Sequence, residues 1–181
     1  MIVVVAPGQG SQTPGFLEPW IADPAHRTRL ERYSEAAGID LVAHGTVSDA
    51  DTIRDTAIAQ PLIVAASLLS AHALLDGRRE RVGAVAGHSV GEFAAAAVAG
   101  VLSDVDAVRL VRERGLAMAD AAAVVPTGMS AVLGGDEDAL AARLTDLGLT
   151  AANRNGGGQV VVAGELPALA ALAADPVPGS R

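Results

Sequence analysis

The segment Gly87-His88-Ser89-Val90-Gly91 constrains the fold most strongly, because it requires a sharp turn between two particular elements. It ends the apolar run Val82–His88, typical of a buried strand, and opens the alanine-rich stretch Gly91–Gly100, typical of a helix. In this context Gly-x-Ser-x-Gly indicates a nucleophile elbow, in which a strained serine exposes its oxygen and glycines prevent clashes. The sequence therefore predicts Ser89 as a nucleophile, although a tight turn without chemistry would give the same pattern.

Composition removes several kinds of chemistry. The 181 residues include no cysteine, which excludes thiol catalysis, thiolate metal sites and disulfides. All 13 basic residues are arginines, so Schiff-base chemistry, a Ser–Lys dyad and the lysine of a phosphate-binding loop are also excluded. The net charge of −8 argues against nucleic acid as a partner. We expect no bound metal.

The chain shows no sign of a membrane or secreted protein. Its start, Met1–Pro7, has no basic leader and indicates a first strand rather than a signal peptide. The longest apolar run, Leu62–Leu75, is too short and too polar to span a bilayer. We expect a soluble, cytoplasmic protein without a membrane partner.

The order of predicted elements indicates two domains. Strands at Ile2–Ala6 and Val82–His88 flank a helix-rich stretch, in which Pro61 is expected at the first turn of an apolar helix. Beyond Pro126 the pattern changes to β-α-β-β-α, with these ranges: Met129–Leu133, Asp136–Leu147, Thr150–Asn153, Gln159–Ala163 and Glu165–Ala173. A ferredoxin-like unit has one more strand. We expect an α/β core over residues 1–125 and a ferredoxin-like subdomain without its last strand over 126–181.

Five segments, in order, resemble motifs of the malonyl-CoA:acyl-carrier-protein transacylase family, which works in fatty-acid and polyketide biosynthesis. They are Gly8-Gln9-Gly10-Ser11-Gln12, Gln60-Pro61, Gly87-His88-Ser89-Val90-Gly91-Glu92, Arg114-Gly115-Leu116-Ala117-Met118, and Asn153-Arg154-Asn155 with Gln159–Gly164. The resemblance covers nearly the whole chain. It implies an α/β-hydrolase-like parallel-sheet core and a small ferredoxin-like subdomain, both incomplete at the C-terminus.

The resemblance also implies a covalent mechanism at Ser89. This serine would accept the malonyl group from malonyl-CoA as an ester, and the phosphopantetheine thiol of acyl carrier protein would then collect it. The backbone N–H groups of Gln9 and Val90 would form the oxyanion hole. Malonyl-CoA would be the substrate, acyl carrier protein the partner, and no cofactor would be bound permanently.

Four further residues would bind the substrate by the same resemblance. Arg114 would pair with the malonyl carboxylate, which a guanidinium can hold through two hydrogen bonds. Gln60, Met118 and Gln159 would contact the substrate in the pocket. Arg114 disfavours acetyl, whereas malonyl and methylmalonyl both fit.

The chain departs from the family in its histidines. A serine nucleophile needs a general base, and in elbow folds the histidine follows the serine. All four histidines, His26, His44, His72 and His88, precede Ser89. We therefore expect a C-terminally truncated or split enzyme, in which a second chain supplies the histidine segment. Loss of a triad histidine costs about 10⁶ in kcat, so we expect the chain alone to be nearly inactive.

Other interpretations remain open. An α/β-hydrolase-type esterase shares the elbow but has no use for Arg114, and a non-catalytic fragment would keep the fold without the chemistry. A dinucleotide-binding loop is disfavoured because Thr13 stands where that fingerprint has Gly or Ala. From spacing alone, Arg114 could lie on an exposed helix and Met118 in the core. His88 is interpreted as a packed, hydrogen-bonded histidine that points to the opposite face of the strand and is not the base.

Overall fold

The chain contains two separate β-sheets, one of two strands and one of three. The computed structural model describes all residues, 1–181. Its contacts separate one unit, Met1–Asp120, from a second, Ala121–Arg181. The predicted boundary lies at residues 125 and 126, close to the C-terminal end of a long helix that runs to Val124.

The first unit contains a parallel pair of strands, β1 (Ile2–Ala6) and β2 (Val82–Gly87). In their register Ala6 lies opposite Gly87, so both strands end at the same level. Parallel strands need a long crossover connection. Three α-helices supply it here: α1 (Pro24–Ala37), α2 (Leu41–Thr46) and α3 (Thr56–Leu75), with short 3₁₀ turns at Thr52–Arg54 and Arg79–Arg81. Helices α4 (Gly91–Val98) and α5 (Asp104–Val124) follow β2. The arrangement confirms the predicted α/β class.

Helix α3 forms the centre of the first unit's core. Its length and composition alone would fit a membrane span, but 61% of its most apolar window is buried inside the protein. The prediction that Pro61 occupies the first turn is wrong, because α3 begins at Thr56 and Pro61 lies inside it. The Asp55 side chain caps this earlier start by accepting from the Ala57 N–H at 2.8 Å.

A polar cluster joins three helices of the first unit. Tyr33 of α1 donates to Asp104 Oδ2 at 2.8 Å, and His72 Nε2 of α3 lies 2.6 Å from the same oxygen. Burial opposes ionisation of Asp104, but the hydrogen bonds from His72 and Tyr33 outweigh it and hold the pKa of this carboxyl below its usual value. Burial and the charge of Asp104 raise the pKa of the Tyr33 hydroxyl. The cluster thus fixes the start of α5.

The second unit has the β-α-β-β-α order that the sequence predicts. Its elements are β3 (Thr127–Leu133), α6 (Glu137–Asp146), β4 (Thr150–Gly156), β5 (Gln159–Glu165) and α7 (Leu166–Ala174). The sheet is antiparallel with β5 at its centre, in the order β3-β5-β4. Leu133 at the end of β3 exchanges two backbone hydrogen bonds with Arg181, at 2.8 and 3.0 Å.

The cluster around Asp104 generates a pH-dependent prediction. Asp104→Asn should lower the free energy of unfolding at pH 7 by about 1–3 kcal/mol, because Tyr33 and His72 lose a charged acceptor. The folded-state pKa of Asp104 is depressed, so its contribution is present above the ordinary carboxyl pKa of about 4 and is lost as the pH falls through the lower folded value. Urea unfolding followed by the fluorescence of Trp20, the single tryptophan, measures this.

The exposed Asp120 provides the control. Asp120→Asn should leave the unfolding free energy within about 0.5 kcal/mol of the original at every pH. A difference between Asp104→Asn and the original protein that persists unchanged at pH 2 would contradict the assignment.

Candidate active site

Ser89 occupies a strained turn between β2 and α4. Strand β2 ends at Gly87 and α4 begins at Gly91, as the elbow requires. Ser89 has φ +53°, and Asp76 is the only other non-glycine residue with positive φ. Such a conformation costs about 1–3 kcal/mol and persists only where the surroundings enforce it. The side chain is exposed, so its hydroxyl is accessible.

The two glycines of the elbow are needed for steric reasons. A Cβ at Gly87 would overlap the backbone of Gly91 and Glu92, and one at Gly91 would overlap the carbonyl oxygen of Ala6. The start of α4 therefore packs directly on the ends of both strands. This close packing holds Ser89 at positive φ.

A chain of hydrogen bonds leads from Ser89 into the core. Arg114 Nη2 donates to Ser89 Oγ at 3.1 Å, and Nη1 of the same guanidinium donates to Gln60 Oε1 at 2.6 Å. Gln60 is 1% exposed, and its Nε2 lies 3.1 Å from Met118 Sδ. The structure thus brings together four predicted site residues, Ser89, Arg114, Gln60 and Met118. The interpretation of Arg114 as a residue of an exposed surface is wrong, because its head group points inward to Gln60.

Two backbone N–H groups in the segments that meet at the elbow lack an acceptor. Val90 precedes the first helical residue of α4, and its N–H makes no hydrogen bond. Gln9 follows β1 in a loop that approaches His88: a Cβ at Gly8 would lie 2.5 Å from His88 Nδ1 and 3.3 Å from its carbonyl oxygen. The Gln9 N–H is also unbonded. Both groups are therefore free to donate a hydrogen bond.

The structure adds detail on two further residues, His88 and Gln159. His88 is exposed, because β2 ends one residue earlier than predicted, but its ring lies against Gly8, as expected of a packed side chain. Gln159 begins β5 in the second unit, where its Oε1 accepts from Asn155 Nδ2 at 2.8 Å. Its role in substrate binding stays a prediction.

Sequence reasoning missed two contacts that support the site. Gln12 accepts from Gly10 N at 2.9 Å and donates to the Ile53 carbonyl at 3.0 Å, which braces the loop that carries Gln9. Arg112 donates to the Ala57 carbonyl at 2.6 Å. The contacts of Gln12 with Ile53 and of Arg112 with Ala57 join segments that are distant in sequence. The only hint in the sequence was that Arg112 stands two residues before Arg114.

Comparison with known proteins places the chain among acyltransferases. Residues 3–176 match the family model described as an acyl transferase domain. The chain is 53% identical over 184 residues to the malonyl CoA-acyl carrier protein transacylase of Mycobacterium tuberculosis. This alignment covers 100% of the chain and 61% of that protein. The chain therefore spans 61% of the length of this relative.

Solved structures give the same result. The crystal structure of MCAT from Mycobacterium tuberculosis matches with a TM-score of 0.94 and 53% identity, covering 100% of this chain and 61% of that one. A malonyl-transacylase solved in complex with a type II PKS acyl-carrier protein matches with a TM-score of 0.84 and 29% identity, over 98% of this chain and 60% of that one.

The glycine packing at the elbow can be tested by stability. Gly91→Ala should lower the free energy of unfolding by about 1–3 kcal/mol, because the new Cβ meets rigid backbone at Ala6 and Pro7. Gly83→Ala in β2 is the matched control, since its Cβ would meet only the side chain of the exposed Met1. Equal unfolding midpoints for both variants in urea would show that the elbow is not held by this contact.

Proposed function

The chain belongs to the acyl transferase domain family, and from this premise we propose that it supplies the acyl-accepting site of a malonyl-CoA:acyl-carrier-protein S-malonyltransferase. The observation that carries the proposal is the contact between Arg114 Nη2 and Ser89 Oγ at 3.1 Å. It joins a nucleophilic oxygen to a group that binds carboxylates. A malonyl group carries its carboxylate only two bonds from the carbon that Ser89 would attack.

The charge of Arg114 is available to a substrate. Its two hydrogen-bond partners, Gln60 and Ser89, are neutral, and no carboxylate lies within ion-pair distance. Several other arginines pair with Asp or Glu, among them Arg109 with Asp106 at 3.9 Å. The proposed role of Arg114 is to bind the free carboxylate of the acyl group, with Gln60 and Met118 behind it.

Chemistry at Ser89 would proceed in two steps. The hydroxyl oxygen attacks the thioester carbon, the N–H groups of Val90 and Gln9 bind the oxyanion, and the carbon–sulfur bond breaks to release CoA as its thiol. The phosphopantetheine thiol of the carrier protein then attacks the serine ester and regenerates the hydroxyl. Each step moves one proton between oxygen and sulfur.

The residues in contact with Ser89 Oγ do not provide a base. A guanidinium offers only hydrogen-bond donors and no acceptor, so Arg114 cannot accept the serine proton. No histidine follows Ser89 within residues 90–181. The activity of the whole enzyme therefore requires a general base in addition to the groups described.

We infer the binding partner and the metabolic setting from related proteins. One structural neighbour is a malonyl-transacylase in complex with its acyl-carrier protein, and acyl carrier protein is the partner we propose here. Fatty-acid or polyketide synthesis in the cytoplasm is the corresponding setting. Malonyl-CoA acts as a substrate, and the proposed reaction uses no permanently bound cofactor.

The role of Ser89 as the nucleophile can be tested by covalent labelling. Prolonged incubation with malonyl-CoA should slowly add the mass of one malonyl group to the protein, because a single acylation needs only one event even when turnover is nearly absent, and Ser89→Ala should abolish this addition because no ester can form. Intact-mass spectrometry measures the result, and peptide mapping locates the group. The hypothesis fails if Ser89→Ala acquires the same mass.

The second prediction concerns acyl selectivity. Arg114→Ala should weaken malonyl-CoA binding about 10- to 100-fold, as expected for loss of a charge-assisted hydrogen-bonded pair, while acetyl-CoA binding changes little. Titration calorimetry with both thioesters gives the ratio of dissociation constants. Arg109→Ala on the same helix is the control and should leave the ratio unchanged. Equal losses for the two thioesters would rule out carboxylate recognition by Arg114.

A further inference from the structure

Pro61 leaves one carbonyl of α3 without its helical partner. In an α-helix the carbonyl of residue i accepts from the N–H of residue i+4. For Ala57 that residue is Pro61, which has no N–H. The Ala57 carbonyl therefore lies in the first turn of α3 with a free acceptor site, although residues on both sides of it are helical.

Arg112 of α5 supplies the missing donor. Its Nη1 donates to the Ala57 oxygen at 2.6 Å in a partly buried position. Arg112 also differs from Arg109, one turn earlier, whose only partner is the exposed Asp106 at 3.9 Å. A charged donor on a neutral carbonyl forms one of the stronger hydrogen bonds in proteins.

The backbone of α5 also lies close to this turn. A Cβ at Gly115 would stand 3.1 Å from the Thr56 oxygen and 3.3 Å from Ala57 Cα, closer than most side-chain contacts. Arg112 and Gly115 are three residues apart and share one side of α5. Arg114 and Met118, four residues apart, share the neighbouring side and hold Gln60. Helix α5 therefore contacts the first turns of α3 on two of its sides, through Arg112 and Gly115 and through Arg114 and Met118.

We propose that Arg112 is a positioning residue for acyl selectivity, acting through the carbonyl that Pro61 leaves free. The contact fixes the register of α5 on α3, so that Gln60 holds one nitrogen of Arg114 and the other faces Ser89. The inference rests on the proposed function, in which Arg114 binds the acyl carboxylate. A proline inside a helix destabilises that helix, and its effect here is to create the acceptor that Arg112 uses.

The direct test is the ratio of dissociation constants for malonyl-CoA and acetyl-CoA, measured by titration calorimetry. Arg112→Met keeps the aliphatic stem and removes the donor. It should reduce the preference for malonyl-CoA about tenfold or more, because small displacements of a binding group have large effects. Arg112→Lys keeps a donor and should recover part of the preference. Arg109→Met is the matched control and should have no effect on the ratio.

A double-mutant cycle separates positioning from general stabilisation. Pro61→Ala introduces an N–H that bonds the Ala57 carbonyl, and this new donor competes with Arg112. Pro61→Ala should therefore lower the preference as well, and Arg112→Met should have little further effect in that background. Circular dichroism checks that each variant is folded. Additive effects of the two substitutions, or an unchanged ratio in folded Arg112→Met, would overturn the inference.

Arg114→Ala distinguishes this inference from the proposed function. If Arg114→Ala leaves the ratio unchanged, carboxylate recognition itself is refuted. If Arg114→Ala abolishes the preference while folded Arg112→Met retains it, only the positioning role of Arg112 is refuted.

Discussion

The hydrogen bond between Arg114 and Gln60 is the interaction on which the site depends. Gln60 is the one fully buried residue with an amide or charged side chain in this protein. Both ends of its amide are used: Oε1 accepts from Arg114 and Nε2 faces Met118 Sδ. A buried amide that lost either partner would be costly to keep. The core thus enforces one orientation of the amide, and the amide enforces one position of the guanidinium. From that position the second nitrogen reaches Ser89.

The elbow meets this guanidinium from the other side. Ser89 stays at positive φ because α4 starts directly on the ends of β1 and β2, where Gly87 and Gly91 leave no room for a side chain. The strain of the turn is thus opposed by strand pairing and by helix packing rather than by contacts of Ser89 itself. The proposed nucleophile on a rigid turn and a cation held by the buried Gln60 therefore stay in register without a flexible loop between them.

Local sequence patterns predicted most helices and strands of the fold. They did not predict the features that depend on contacts between distant residues. The elbow and the β-α-β-β-α order followed from apolar runs, glycines and alanine-rich stretches, whereas the parallel sheet was implied by the family resemblance. Pro61 was misplaced because a proline favours a first turn, whereas Asp55 caps the helix earlier. His88 lies outside β2 because the strand ends one residue sooner than the apolar pattern indicated. The bond from Arg112 to Ala57 spans 55 residues, and no periodicity indicates such a contact.

The partners of Arg114 also explain how a protein with a net charge of −8 could bind the anionic acyl group that we propose as its substrate. A glutamate in place of Gln60 would hold the guanidinium equally well but would neutralise it and repel a carboxylate. The neutral amide orients the cation and leaves its charge for the substrate. The same reasoning applies to Arg112, whose acceptor is a backbone carbonyl rather than an acidic side chain. The local partners of an arginine, rather than the overall charge of the protein, therefore determine whether its charge is neutralised. Here uncharged oxygens hold both Arg112 and Arg114.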